Sequence, residues 1–236
     1  MGIAYNTSIV RDGLVLHLDA ANVKSYPGTG TTWFDLSKNG YIFTSTNPPT
    51  FVDNGSVGGK YFEYSGAGKY FDSTTNSPFS GSNFAISVVA VVSQYSTGSY
   101  YSILSQNEQD GFDSMSFLSL NGKFGTDHWS PGGRRLITAA NNNTVYHVTW
   151  TVPSWSTHQD STTKIYINGI EQNTEEYSRD TVGSLVSDVF RVGNWQLNRT
   201  DMDFQGRIYT IKVYNKALTE EEVKQNFKAY RGRYGI

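Results

Sequence analysis

No cysteine occurs among the 236 residues, which excludes disulfides, thiol nucleophiles and cysteine-ligated metals and leaves the redox compartment open. Charge is thin as well: Asp, Glu, Lys and Arg make up 17% of the chain and sum to −2. A nucleic-acid surface would need clustered Lys and Arg. The one local concentration, Lys228 to Arg233, falls where cations answer a helix dipole. No apolar run approaches the ~20 residues of a membrane helix. Within residues 1–20 an export-type apolar segment is interrupted by Asn6, Thr7, Ser8, Arg11 and Asp12. Synthesis in a cytoplasm is therefore expected, with neither nucleic acid nor membrane as a partner. Proline is scarce too, at 6 residues against 23 Gly.

Aromatic residues are what the chain has instead, at 14%, with 16 Tyr, 13 Phe and 5 Trp. Rings and glycines in a cysteine-free chain suit many short strands joined by tight turns around a large core. The pattern along the chain agrees. Residues 14–19 read as a strand, and 22–40 as a polar loop pinned by Trp33, Phe34 and Leu36. Residues 60–64 and 69–72 read as paired strands around the turn 65–68. Residues 84–92 are too apolar for a half-wetted strand and should be central, covered on both faces. Further strands are expected at 100–104, 114–120, 135–138, 145–152 and 189–193. Asn168-Gly169 is a type I′ hairpin signal within 163–172. There is no internal repeat, linker or composition shift, so one domain over 1–236 is expected, an all-β two-sheet sandwich.

The C-terminal end is the clearest stretch. Ile208, Thr210, Lys212 and Tyr214 alternate with Tyr209, Ile211 and Val213, the period of a strand. Thr219 then stands three residues before Glu222, as a capping box requires, and Val223, Phe227 and Tyr230 form an apolar stripe. Gly232 should end that helix.

GRIYTIKVYNKALTEEEVKQNFKAYRGRYGI (206–236) resembles the last strand and tail of the concanavalin A-like lectin/glucanase domains of laminin-G-like type, in the version found in tailed-phage structural proteins. DGLVLHLDAAN (12–22) with SYPGTGTTWFDLSKNG (25–40), and KIYINGI (164–170), are similar to the same group's first strand and loop and to its strand-then-Asn-Gly turn. The resemblance implies an antiparallel jelly roll with a short C-terminal helix and with first and last strands adjacent. It also implies a non-enzymatic virion protein, either a surface decoration or a fibre-associated module, whose partners are other virion proteins. A carbohydrate-binding module gripping a cell-surface glycan for host attachment is the alternative, and a glycan hydrolase the second. The superfold hosts all three.

Glycosidases on this superfold align two or three carboxylates along one strand as acid and nucleophile. None of Glu63, Glu108, Glu171, Glu175, Glu176, Glu220, Glu221 or Glu222 sits in such an alternating acid set, so no catalytic residue is expected. Asp201 and Asp203 would share a face but lack a third acid. His17 and His147 fall inside strands and read as structural, while His128 and His158 lie beside Trp129 and Trp155 without zinc spacing. No cofactor is expected, calcium being the one ion that Asp110 and Asp113 around Gly111 could hold, against the plainer reading that they cap turns. Sugar faces stack on loop aromatics, which makes Trp129, Trp155 and Trp195 candidates for carbohydrate or partner binding. Core packing under the loops competes for each. Trp195 with Asn194, Arg199 and Asp201 is the preferred site, expected to be an exposed loop before the last strand.

Overall fold

A computed structural model describes residues 8–56, 59–81, 84–94, 100–106, 114–120, 122–129, 134–137, 140–155, 162–177, 184–195 and 202–236. The elements are β1 (Leu14–Asp19), β2 (Thr32–Phe34), β3 (Ile42–Thr44), β4 (Thr50–Asp53), β5 (Lys60–Tyr64), β6 (Phe71–Asn76), β7 (Ile86–Gln94), β8 (Tyr100–Gln106), β9 (Ser114–Leu120), β10 (Lys123–Trp129), β11 (Arg134–Ile137), β12 (Tyr146–Val152), β13 (Lys164–Ile167), β14 (Ile170–Glu171), β15 (Thr174–Tyr177), β16 (Val189–Val192), β17 (Gly206–Tyr214) and α1 (Glu220–Tyr234). They make the antiparallel β-sandwich with one C-terminal helix that the sequence led us to expect.

One sheet runs β14-β13-β12-β7-β17-β5-β4, and the other β15-β11-β10-β9-β8-β16-β6-β3-β2. β17 organises the first. Along one side it pairs with β7 over its length. Along the other it pairs first with β5, Ile208 opposite Phe62, and then with β1, Leu18 opposite Ile211 and Leu16 opposite Val213. First and last strands are thus neighbours. Gly206 opens β17 where a Cβ would lie 2.0 Å from the Ser93 carbonyl oxygen, so only glycine lets the two backbones close there.

The core lies between the sheets. Ile208, Ile211 and Val213 meet Val88, Ala90 and Val92 of β7, Phe117, Phe124 and Trp150 within one cluster of buried residues. Strict alternation would have set Ile208 apart from Ile211. The register to β7 shifts between Ile208 and Thr210, and this bulge adds a residue, turning Ile208 inward while Tyr209 packs on Tyr61 and Tyr234. β7 is buried at every position, as its composition demanded. Its outward Val89 meets Tyr166, Tyr214, Leu218 and Val223 in a second small cluster beneath α1.

α1 begins with the expected capping box, Thr219 and Glu222 exchanging bonds between side chain and backbone. Gly232 does not end it; the helix runs to Tyr234 and stops at left-handed Gly235, whose N–H bonds the Arg231 carbonyl. The N-terminal segment is tied to the same helix: Asn226 Oδ1 accepts from Val10 N at 2.9 Å, and Gln225 donates to the Ser8 carbonyl. Asn168 and Gly169 form the hairpin with positive φ of 51° and 78°.

Three sequence expectations change. β5 and β6 do not pair: β5 lies in one sheet between β17 and β4, β6 in the other between β16 and β3, so residues 65–70 cross between layers. The segment 22–40 is not all loop, since Trp33 is fully buried inside β2. β10 is an added strand, covering part of what read as loop.

Because Ile211 is fully buried and belongs to the inter-sheet core, Ile211→Ala should lower stability by about 2–5 kcal/mol. Chemical denaturation checks this, and an unshifted unfolding midpoint would contradict the β1–β17 register.

Candidate functional site

The preferred sequence site turns out to be a packed corner. Trp195 is 5% exposed and Asn194 1%. Gly193, at φ 95°, is pressed so closely on the core ring of Tyr64 that a Cβ would lie 2.0 Å from it. This carries the chain inward immediately after β16. Asn194 donates its side-chain amide to Asp203, whose second oxygen accepts from Gly68 N at 2.6 Å. Ser105 Oγ donates to the Asn194 carbonyl at 2.9 Å. The corner therefore ties the crossing at 65–70 to the entry of β17, and the expectation of an exposed Trp195 and Asn194 is corrected. Arg199 and Asp201 of that cluster lie outside the described residues.

The other ring candidates move as well. Trp155 is fully buried and stacks on Phe84, centroids 5.4 Å apart and planes 12° apart, so it packs the core instead of a surface. Trp129 is not in a loop but is the last residue of β10, opposite Ser114. The calcium candidates Asp110 and Asp113, like His158, lie outside the described residues. Among the described residues no three His, Cys, Asp or Glu side chains come together as a metal cluster.

An open concavity lies elsewhere among the described residues, where the loop after β1, the β4–β5 hairpin and the end of α1 meet. Two hollows of about 340 and 400 Å³ adjoin there, sharing Ala21, Val23 and Lys60 in their walls. The first is floored by Tyr26 and Phe51, ring centroids 4.7 Å apart, with Pro27, Gly28 and Asp53 around them. The second is walled by Asp19, Asn22, Ser56 and Arg233. Charges in this trough are paired: Lys60 with Asp53 at 2.9 Å, and Arg233 with Asp19 through two bonds of 2.7 Å. Asp53 is held below the ordinary carboxylate range by Lys60 and by Gly55 N–H. Burial alone would raise Asp19, but the bonds and charge of Arg233 outweigh it and hold it low as well.

Behind the trough, α1 covers polar residues of the sheet. Lys212 is fully buried, its ammonium 3.8 Å from the Tyr230 ring centre. Burial pulls its pKa down to about 7, with Asp19 opposing and Arg233 assisting. His17 contacts the Tyr230 hydroxyl at 3.2 Å through Nε2, and neither ring nitrogen of His147 has a hydrogen-bond partner. Burial, seconded by the charge of Lys212, brings both imidazoles down to about 3. The layer is a structural one, and sequence reading had correctly placed both histidines inside strands.

A two-sheet antiparallel sandwich with a capped terminal helix defines a broad class of lectin-like domains. Residues 65–224 match the model of the concanavalin A-like lectin/glucanases superfamily, and the chain belongs to that family. No curated protein matches it in sequence. Among solved structures it is similar to Trypanosoma rangeli sialidase at 18% identity and TM-score 0.58, covering 95% of this chain and 34% of that one. It is also similar to the binding domain of Paraclostridial Mosquitocidal Protein 1, at 20% identity and TM-score 0.63, covering 93% and 53%. The receptor binding domain of botulinum neurotoxin type G gives 16% and 0.58, covering 92% and 51%. The chain thus spans about a third of the sialidase and about half of each toxin domain, and the likeness is one of fold.

Two outcomes are expected. Trp195→Ala should cost about 3–5 kcal/mol as a core truncation, read as a lowered melting temperature. The histidines give a pH dependence. With folded values near 3 against an ordinary 6.5, the unfolded chain binds protons that the folded chain refuses. The histidines' contribution to stability is then full above pH 6.5 and lost as pH falls toward 3. Melting curves across that window check this, and His147→Phe should flatten the loss.

Proposed function

We propose that the chain is a non-enzymatic structural protein of a phage particle, carried on its surface as a decoration or fibre-associated module and seated against other virion proteins. The resemblance of residues 206–236 to the version of these domains found in tailed-phage structural proteins, with the similarity of 12–22, 25–40 and 164–170 to the same group, supports the setting. The observation that carries the non-enzymatic reading is the state of the trough's acids. A glycosidase needs one carboxylic acid kept protonated, with a raised pKa, beside a second carboxylate. Asp19 and Asp53 are each locked to a cation and held low, which suits binding and not proton donation.

Mass spectrometry of purified particles tests the setting: the protein should copurify at a fixed copy number, and its loss on gradient purification would refute the assignment. Incubation with soluble polysaccharides should release no reducing ends above blank. Turnover abolished by a single Asp or Glu substitution would instead make the chain a hydrolase.

A second reading is favoured by the trough itself. A host-attachment module gripping cell-surface glycan would use such an aromatic-floored concavity, and glycan-array binding by the isolated protein separates it from a purely structural role.

A further inference from the structure

We propose that the trough formed by residues 19–28, the β4–β5 hairpin and Arg233 is a binding site for a neutral saccharide. This rests on the recognition reading above and names its ligand class and location, at residues the sequence had not singled out for binding.

Shape comes first. Each hollow is of small-molecule size, and the two adjoin through the shared walls of Ala21, Val23 and Lys60. Its walls are fixed before any ligand arrives. Ala21 N donates to Asp19 Oδ1 at 3.0 Å, Asp19 N to Ser25 Oγ at 3.1 Å, and Tyr26 N to the Asn22 carbonyl at 2.8 Å. The Tyr26 hydroxyl donates to the Gly30 carbonyl at 2.8 Å, which holds the ring against Phe51 and Phe62. A site ordered in advance loses little entropy on binding.

Chemistry then selects the ligand. The apolar part consists of Phe51 on the floor, Pro27 beside it and Val23 on the rim, 69% exposed. A lone exposed valine is ordinary. A valine that shares a wall with half-buried Phe51 and with paired charges extends that apolar patch into a platform for the C–H face of a sugar ring. Polar groups flank this platform as ion pairs, Asp53 with Lys60 in the same hollow and Asp19 with Arg233 in the adjoining one. A carboxylate beside a cation offers acceptors and donors a few ångströms apart, the pattern that vicinal hydroxyls satisfy with charge-assisted hydrogen bonds. Two anions and two cations leave no net charge to attract a phosphate, a sulfate or an acidic sugar. An extended peptide would find β4, the last strand of its sheet, but would leave the ion pairs of the second hollow facing apolar side chains.

The test uses the whole protein with maltose, cellobiose and lactose as neutral probes and 3′-sialyllactose and digalacturonate as acidic ones, by titration calorimetry and chemical-shift mapping. Val23→Arg fills the rim and Asp53→Ala removes one acceptor. Both positions are exposed, so melting temperatures should hold. Ile170→Arg on β14, 68% exposed, is the remote control. A neutral probe should bind, weakened about tenfold or more by Asp53→Ala through loss of a charge-assisted bond and by Val23→Arg through the filled rim, and unaffected by Ile170→Arg. Binding of acidic probes alone would overturn the ligand class. Binding untouched by both trough variants would overturn the location while leaving a recognition role intact at another surface. No binding of any probe would overturn the proposal, and particle association, measured separately, would then decide whether the recognition reading survives.

Discussion

The pairing of β17 on both of its edges is the constraint on which the rest of the molecule depends. A strand hydrogen-bonded to β7 on one side and to β5 and β1 on the other has no free backbone, so its position is fixed by the ladder, and every side chain but that of Arg207 is buried, on both faces. The inner face is answered by the opposite sheet. The outer face carries Thr210, Lys212 and Tyr214, all buried, and needs a cover of its own. α1 is that cover. Its first turn packs Val223 on an apolar patch, while its last turns bring Tyr230 and Arg233 over Lys212 and Asp19.

That arrangement explains why the open concavity has charged walls in a chain so poor in charge. Burying Lys212 is costly unless the charge is lost or answered, and Asp19 and the Tyr230 ring stand nearby. Arg233 in turn satisfies Asp19 from the solvent side and so becomes a wall of the trough. One acid thus serves the buried layer behind and the exposed hollow in front. The polar interior and the exposed hollow are two sides of the same ion pair.

The parts of this structure legible in the sequence are those specified locally. The capping box at Thr219 and Glu222, the Asn168-Gly169 turn and the unbroken apolarity of β7 each act within a few residues of themselves. The bulge near Tyr209 was invisible because no residue there announces it; it is fixed by the register to β7. The crossing at 65–70 has the glycines of a hairpin, and only the destination of β6 distinguishes the two. Trp155 and Trp195 show the same limit for the site, because lying between strands says nothing about which side chains fold over a ring. The trough could not be read at all, since Asp19 and Arg233 stand 214 residues apart and meet only when β1 and α1 take their places.

The antiparallel seam between β1 and β17 has a mechanical consequence. Leu14, where β1 begins, lies opposite Tyr214, where β17 ends, so the chain enters and leaves the sandwich at the same end of one seam. Tension drawn between the two tails would peel that seam a rung at a time instead of shearing all its rungs together. Before any rung is loaded, the clasp of Val10 on Asn226 and of α1 on its sheet must give way. The helix is in this sense a lock over a zip, and the force the domain withstands when tugged by its tails is set by the lock.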